Sequence, residues 1–219
     1  ILHPRPPGWA SIPQASHALL ALQLADHWGN RAVLRPAPRP DLLAATLLHD
    51  AGWDGSEEPP RRGSDGVPLA LDSWPAAERE PLWQRAVERA ALRGRYVAYL
   101  VSDHVAMLAQ RSDGELHAGF VAREQERQRR LRAELAGDPR YAQLLATGAD
   151  AANRAILRLA DAIAVHLCLG AAGAVELPGL PTSAGPAPLT LRPAGERTFR
   201  LRPWPLLGRR LVVHAEARL

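Results

Sequence analysis

A helical apolar rhythm runs with interruptions from Gln14 to Leu169, and at several points its inward face carries a histidine or an aspartate. From Gln14 to Gly29, Leu20, Ala21, Leu24 and Trp28 recur at helical spacing, with Pro13 where a first-turn proline is tolerated. A second run, Leu42 to Ala51, opens after Pro40 and Asp41 and stops at Gly52. The same period predicts helices over Trp74–Leu92, Tyr96–Ala109, Leu116–Leu135 and Ala149–Leu169. A chain so patterned can bury its apolar stripes only by packing helix on helix, so the expected fold class is mainly α, a helical bundle.

Two stretches break the rhythm. Residues 53 to 73 hold Gly55, Pro59, Pro60, Gly63, Gly66 and Pro68 with few apolar anchors, which reads as a long loop. Beyond Gly170 the composition shifts to Gly, Pro, Ser and Thr, and Leu189–Leu191, Thr198–Leu201 and Arg210–Ala215 alternate as short strands do. The expected organisation is a helical domain over residues 1–172, with residues 173–219 forming a linker and a small β appendage packed against it.

Composition narrows the function classes. Cys168 is the only cysteine, which excludes an internal disulfide and any multi-cysteine zinc site and suits a reducing cytoplasm. The stretch Ala155–Gly173 is apolar but contains Arg158, Asp161 and His166, so no span crosses a bilayer unaided, and no secretory signal is visible. All 27 basic residues are arginine, yet the formal charge is only +4 and no tract interleaves them with aromatics. The mild positive excess suits a small phosphorylated or other anionic substrate, with neither membrane nor nucleic acid as the expected partner; a homodimer is left open.

The informative residues are polar ones in apolar places. His17 precedes Leu20, Ala21 and Leu24 by three, four and seven; His49 follows Leu42 and Ala45; His104 sits among Leu100, Val101, Met107 and Leu108. Asp161 lies between Leu157 and Ala164, Val165 and Cys168, where an unneutralised carboxylate costs several kcal/mol. Taken singly, each histidine reads as a satisfied core residue, and Asp161 reads as the partner of Arg154 or Arg158. Taken together, imidazole and carboxylate ligands on several inward faces suit one divalent cation: Zn, Fe, Mn, Co, Ni or Mg. Adjacent His49 and Asp50 can share an ion only near a helix end, which Gly52 supplies.

An upstream His17, the pair His49-Asp50 at the end of the next helix and a late-helix Asp161 resemble the HD-domain superfamily of metal-dependent phosphohydrolases. More narrowly, Ser16-His17-Ala18, His27-Trp28-Gly29-Asn30, the HDxGW stretch His49-Asp50-Ala51-Gly52-Trp53, Ser102-Asp103-His104 and Ala160-Asp161 look like an uncharacterised bacterial family of HD-like proteins. The match covers most of residues 11 to 169, and the tail with Pro203-Trp204-Pro205 looks similar too. The resemblance implies an HD-like bundle with His17, His49, Asp50 and Asp161 as metal ligands and water activated for attack on phosphorus. His104 would bind a second ion or contact substrate phosphate.

Around this set, Asp54 and Glu57 are placed to act as general acid or base, with His104 beside them. Gln14 and Arg61, with Arg62, are candidates for holding substrate. His117 is equally well read as a surface histidine, and Arg123–Arg132 as an exposed helix face. The leading expectation is a metal-dependent phosphomonoesterase or phosphodiesterase. The alternatives are a di-iron oxygenase of the HD type, and a metal-stabilised sensor or scaffold without catalysis.

Overall fold

A computed structural model describes residues 1–5, 8–56, 61–64, 66–69 and 73–218. Seven α-helices lie among them: α1 (Gln14–Asp26), α2 (Arg39–Leu48), α3 (Arg79–Ala91), α4 (Arg95–Asp113), α5 (Ala118–Ala136), α6 (Pro139–Ala146) and α7 (Asp150–Leu169). The chain is mainly helical, as the apolar period requires. Helix α1 packs on α2 and α7, while α4 contacts α2, α3, α5 and α7 and so forms the centre of the bundle. Its residues Tyr96 to Ala106 are all buried, polar ones included.

Helix ends follow local chemistry. Gly170 adopts the left-handed conformation at φ 67°, ψ 53°, and its N–H and that of Ala171 close the last turn of α7 on Leu167 and His166 carbonyls. Asp138 caps α6, a helix the period did not reveal, by accepting from the Arg140 N–H, with Pro139 in the first turn. Trp74, expected to open a helix, instead precedes a single 3₁₀ turn at Ala76–Glu78 that leads into α3.

The tail forms an antiparallel sheet of β3 (Val175–Thr182), β4 (Gly185–Gly195) and β5 (Thr198–Arg202), in the order β3-β4-β5, and β3 lies against α7. Its Leu177, Leu180, Leu189, Leu191 and Leu201 join the helical core. Pro178 and Pro181 hide β3 from a strand pattern, and its edge position accommodates them. A second hairpin, β1 (Leu2–Arg5) with β2 (Gly8–Ser11), was not foreseen.

Arg210–Ala215 is not a strand, contrary to expectation. Within it, His214 exchanges hydrogen bonds with the Gln23 side chain, so an amide on α1 takes the place of a neighbouring strand. The preceding Pro203-Trp204-Pro205 segment is strapped across the end of α1: the Gly29 N–H donates to Pro205, Leu207 donates to His27, and the Asn30 amide donates to Trp204. No helix among the described residues is long and apolar enough to cross a membrane.

Candidate metal centre

The centre is assembled from four helices. His17 projects from α1, His104 from α4 and Asp161 from α7, all on the faces that bury. His49 closes α2 still in helical geometry (φ −59°, ψ −31°), and Asp50 then leaves it (φ −109°, ψ 11°). That break turns two adjacent side chains towards one point. Close packing behind the break enforces it: a Cβ on Gly52 would lie 1.8 Å from the Leu82 carbonyl oxygen of α3, so only glycine fits.

One ligand atom from each of His17, His49, Asp50 and Asp161 lies within 4.8 Å of all the others. His17 Nε2 stands 2.9 Å from Asp161 Oδ1 and 3.6 Å from Asp50 Oδ2; His49 Nε2 stands 3.3 Å from both of those oxygens. The two imidazoles are buried, while the Asp50 and Asp161 side chains keep 11% and 13% of their surface exposed.

His49 carries the chemical argument. Its Nδ1 donates to the Thr46 carbonyl at 2.6 Å, which fixes the proton there and leaves Nε2, in the neutral ring, as a lone pair. That nitrogen faces two carboxylate oxygens and makes no hydrogen bond among the described residues. Without a positive charge between them the three atoms repel. Burial opposes protonation of His49, but Asp50 and Asp161 overcome it and hold its pKa well above the ordinary 6.5. Burial also opposes ionisation of Asp161, yet the His17 and His49 rings against it hold its pKa well below 3.8, and His49 lowers that of Asp50. An added proton on His49 relieves one such conflict, whereas a divalent cation at the convergence of the four atoms relieves them all. The donor set fits a metal.

Asp161 is not neutralised by its own helix. Arg154 and Arg158 turn to Asp103 of α4, at 3.3 and 2.5 Å, and Arg154 also reaches Asp150 at 3.4 Å. The arginine pairing that sequence left open for Asp161 is therefore taken by other carboxylates.

His104 lies against the same cluster. Its Nε2 is 3.6 Å from Asp161 Oδ2, the oxygen facing away from His17, and its ring meets His49 edge-on at 5.1 Å. Neither ring nitrogen has a hydrogen-bond partner among the described residues, and burial lowers its pKa to about 4, which keeps the imidazole neutral.

The remaining candidates lie further out. Gln14, buried at the start of α1, occupies the turn before His17. Asp54 turns outward and is ion-paired with Arg89 of α3. Arg61 pairs with Glu78 at 2.5 Å and lies over the Trp74 ring. Glu57 falls outside the described residues. His117 is not a surface residue: it is fully buried at the start of α5, with Nδ1 2.9 Å from Glu80 Oε1 and its ring against Trp83. Nor is Arg123–Arg132 uniformly exposed, since Glu124 is buried and accepts from Ser102 at 2.8 Å.

A cavity of about 630 Å³ is lined by Gln14, Trp53, Asp54, Arg61, Arg62 and Trp74 among others, so residues one turn before His17 and three after Asp50 contribute to its wall. Sequence reading did not anticipate Trp74 or Trp9 in its wall. Trp9 lies outside any helical period, and Trp74 stood at the expected start of a helix, so neither carried a signal for the cavity.

Helices that carry a buried, mixed His/Asp group able to hold a metal ion define the class of this protein. The chain belongs to the family described as "Protein of unknown function (DUF3891)", whose family model matches residues 1–219. No curated protein and no solved structure gives a significant match.

Proposed function

We propose that this protein is a metal-dependent phosphohydrolase of the HD type, acting on a small phosphorylated substrate. The observation that carries the reading is the placement of His49 Nε2, turned by the Nδ1 contact with the Thr46 carbonyl towards two carboxylate oxygens in a group of four converging ligand atoms. The order of those residues along the chain, His then His-Asp then Asp, is the order of the HD superfamily, which supports the same reading. His17, His49, Asp50 and Asp161 would hold the metal.

A divalent ion so held acidifies its bound water towards neutrality and stabilises charge building on a phosphoryl oxygen. The protein supplies the rest. Neutral His104, buried beside Asp161 with both nitrogens uncommitted among the described residues, donates to a phosphoryl oxygen. Arg62 and Arg61 on the cavity wall attract the anionic substrate, and Gln14 positions it one turn from His17. The slight exposure of Asp50 and Asp161 gives water its route to the centre.

The test is hydrolysis of a panel of phosphomonoesters and phosphodiesters by protein supplied in turn with Mn²⁺, Fe²⁺, Co²⁺, Ni²⁺, Zn²⁺ and Mg²⁺. Turnover that vanishes in His49→Ala and Asp161→Ala is expected. A folded, metal-loaded chain that turns over no ester would overturn the proposal.

One observation favours a second reading. His104 Nε2 lies 3.6 Å from the second oxygen of Asp161, and with at least one further ligand it would help to hold a second iron, as the di-iron oxygenase reading requires. Two irons per chain, with oxygen consumption and no phosphoester turnover, would decide for it.

A further inference from the structure

Two residues of the cavity wall stand close to the ligands along the chain: Gln14, one helical turn before His17, and Trp53, three residues after Asp50. The cavity's volume suits a small organic molecule rather than a bare oxyanion. Its walls are unusual in kind. Three of the chain's six tryptophans line it: Trp53, buried, Trp74, half-buried, and Trp9 on β2, half-exposed. Trp53 and Trp74 meet edge to face at 5.2 Å, so together they present an indole face and an indole edge. Arg61 continues that array, with its guanidinium 5.4 Å from the Trp74 ring.

Among the described residues that line the wall, Arg61 and Arg62 bring positive charge and Asp54, already paired with Arg89, brings the negative. The Arg61–Glu78 pair is exposed at both ends and therefore weakly held, so an entering anion can displace it. Arg62 donates to the Gly66 carbonyl, which leaves its charge to act on the cavity. An aromatic wall with a cationic rim suits a ligand that has both a flat apolar body and a negative group.

We propose that this cavity holds the organic part of the substrate, and that this part is an aryl or heteroaryl group carrying the phosphoryl. The proposal rests on the phosphohydrolase reading for the identity of the negative group, but the recognition of a flat apolar body stands on the tryptophans. Trp53 and Trp74 stack the ring, Arg62 steers the anion, and the phosphoryl end reaches past Gln14 towards His17 and Asp50.

The test is calorimetric titration of the metal-loaded 219-residue chain with phosphonates, whose phosphorus–carbon bond a phosphoesterase does not cleave. 1-Naphthylphosphonate, octylphosphonate and methylphosphonate serve as probes, with inorganic phosphate as the control for the head group. 1-Naphthylphosphonate is expected to bind roughly tenfold or more tightly than methylphosphonate, as stacking on indole predicts. Trp74→Ala should erase that preference while leaving methylphosphonate unchanged, and Arg62→Ala should weaken all the phosphonates alike. Circular dichroism checks that both variants fold; if Trp74→Ala does not, Trp74→Leu keeps the bulk and removes the π face. Equal affinity for naphthyl and methyl probes, tighter binding of the octyl probe, or a naphthyl preference that survives loss of the Trp74 ring would each overturn the proposal. Ester turnover is read separately. Naphthyl preference without turnover of any ester would sink the phosphohydrolase reading and leave the cavity assignment, whereas turnover without that preference does the reverse.

Discussion

Replacing Asp161 by Asn isolates the electrostatic core of the account. The substitution keeps the shape of a side chain whose Oδ1 lies 2.9 Å from His17 Nε2 and 3.3 Å from His49 Nε2, and removes only its charge. In the metal-free chain it disturbs a nearly buried ion pair and lowers stability by itself, so the melting temperature alone is a poor readout. The informative quantity is the rise that metal produces. A ligand at about a thousand times its Kd stabilises the folded state by about 4 kcal/mol. For a chain of 219 residues each kcal/mol moves the midpoint by roughly 2–4 °C, so saturating metal should raise it by roughly 8–16 °C. Asp161 gives one of four ligand atoms and is shared with His104, so Asp161→Asn should reduce the rise to a few degrees or none. The assay is thermal unfolding by circular dichroism after chelation, with and without each divalent metal. An undiminished rise in Asp161→Asn would refute the reasoning, as would no rise in the parent chain with any metal.

Other consequences follow from the surrounding structure. Gly52→Ala drives a Cβ into the Leu82 carbonyl of α3 and should cost about 3 kcal/mol in urea denaturation, with lower metal occupancy because the turn carrying Asp50 must shift. Asp103→Ala leaves Arg154 and Arg158 without a shared partner and should cost about 2 kcal/mol, discounted for the partial exposure of both arginines, with metal content by elemental analysis unchanged. In the metal-free chain the raised pKa of His49 means that its pairing stabilises fully below 6.5 and is lost as pH climbs through the higher folded value. The depressed pKa values of Asp50 and Asp161 mean that their contribution is present above 3.8 and is lost as pH falls through the lower folded values. Metal uptake displaces whatever proton His49 Nε2 holds. Titration in buffers of different ionisation enthalpy should register that release, and His49→Ala should abolish it.

How much of this could be read from the sequence depended on whether a signal was local. The long helices were legible because each carries several turns of apolar period, whereas α6 has only eight residues and shows itself mainly through Asp138-Pro139. Strand β3 was hidden because proline and glycine interrupt it, which only its place at a sheet edge makes tolerable. The four ligands stood out because a carboxylate such as Asp161 in an apolar stripe needs an explanation whatever the fold. The partners of Arg154 and Arg158 were not legible, because nothing in α7 itself says that Asp103, on another helix, lies closer than Asp161, on their own. His117 misled for the opposite reason. Glycines around it suggest an exposed turn, and its burial comes from Trp83 and Glu80 on a helix distant in sequence.

The central claim is that His17, His49, Asp50 and Asp161 hold a metal ion, and its most direct measurement is elemental mass spectrometry on protein purified without added metal, beside the double variant His49→Ala, Asp161→Ala. The account predicts at least one divalent ion per chain in the parent and none in a variant that still shows helical circular dichroism. A folded parent that remains metal-free after dialysis against each candidate ion would contradict it.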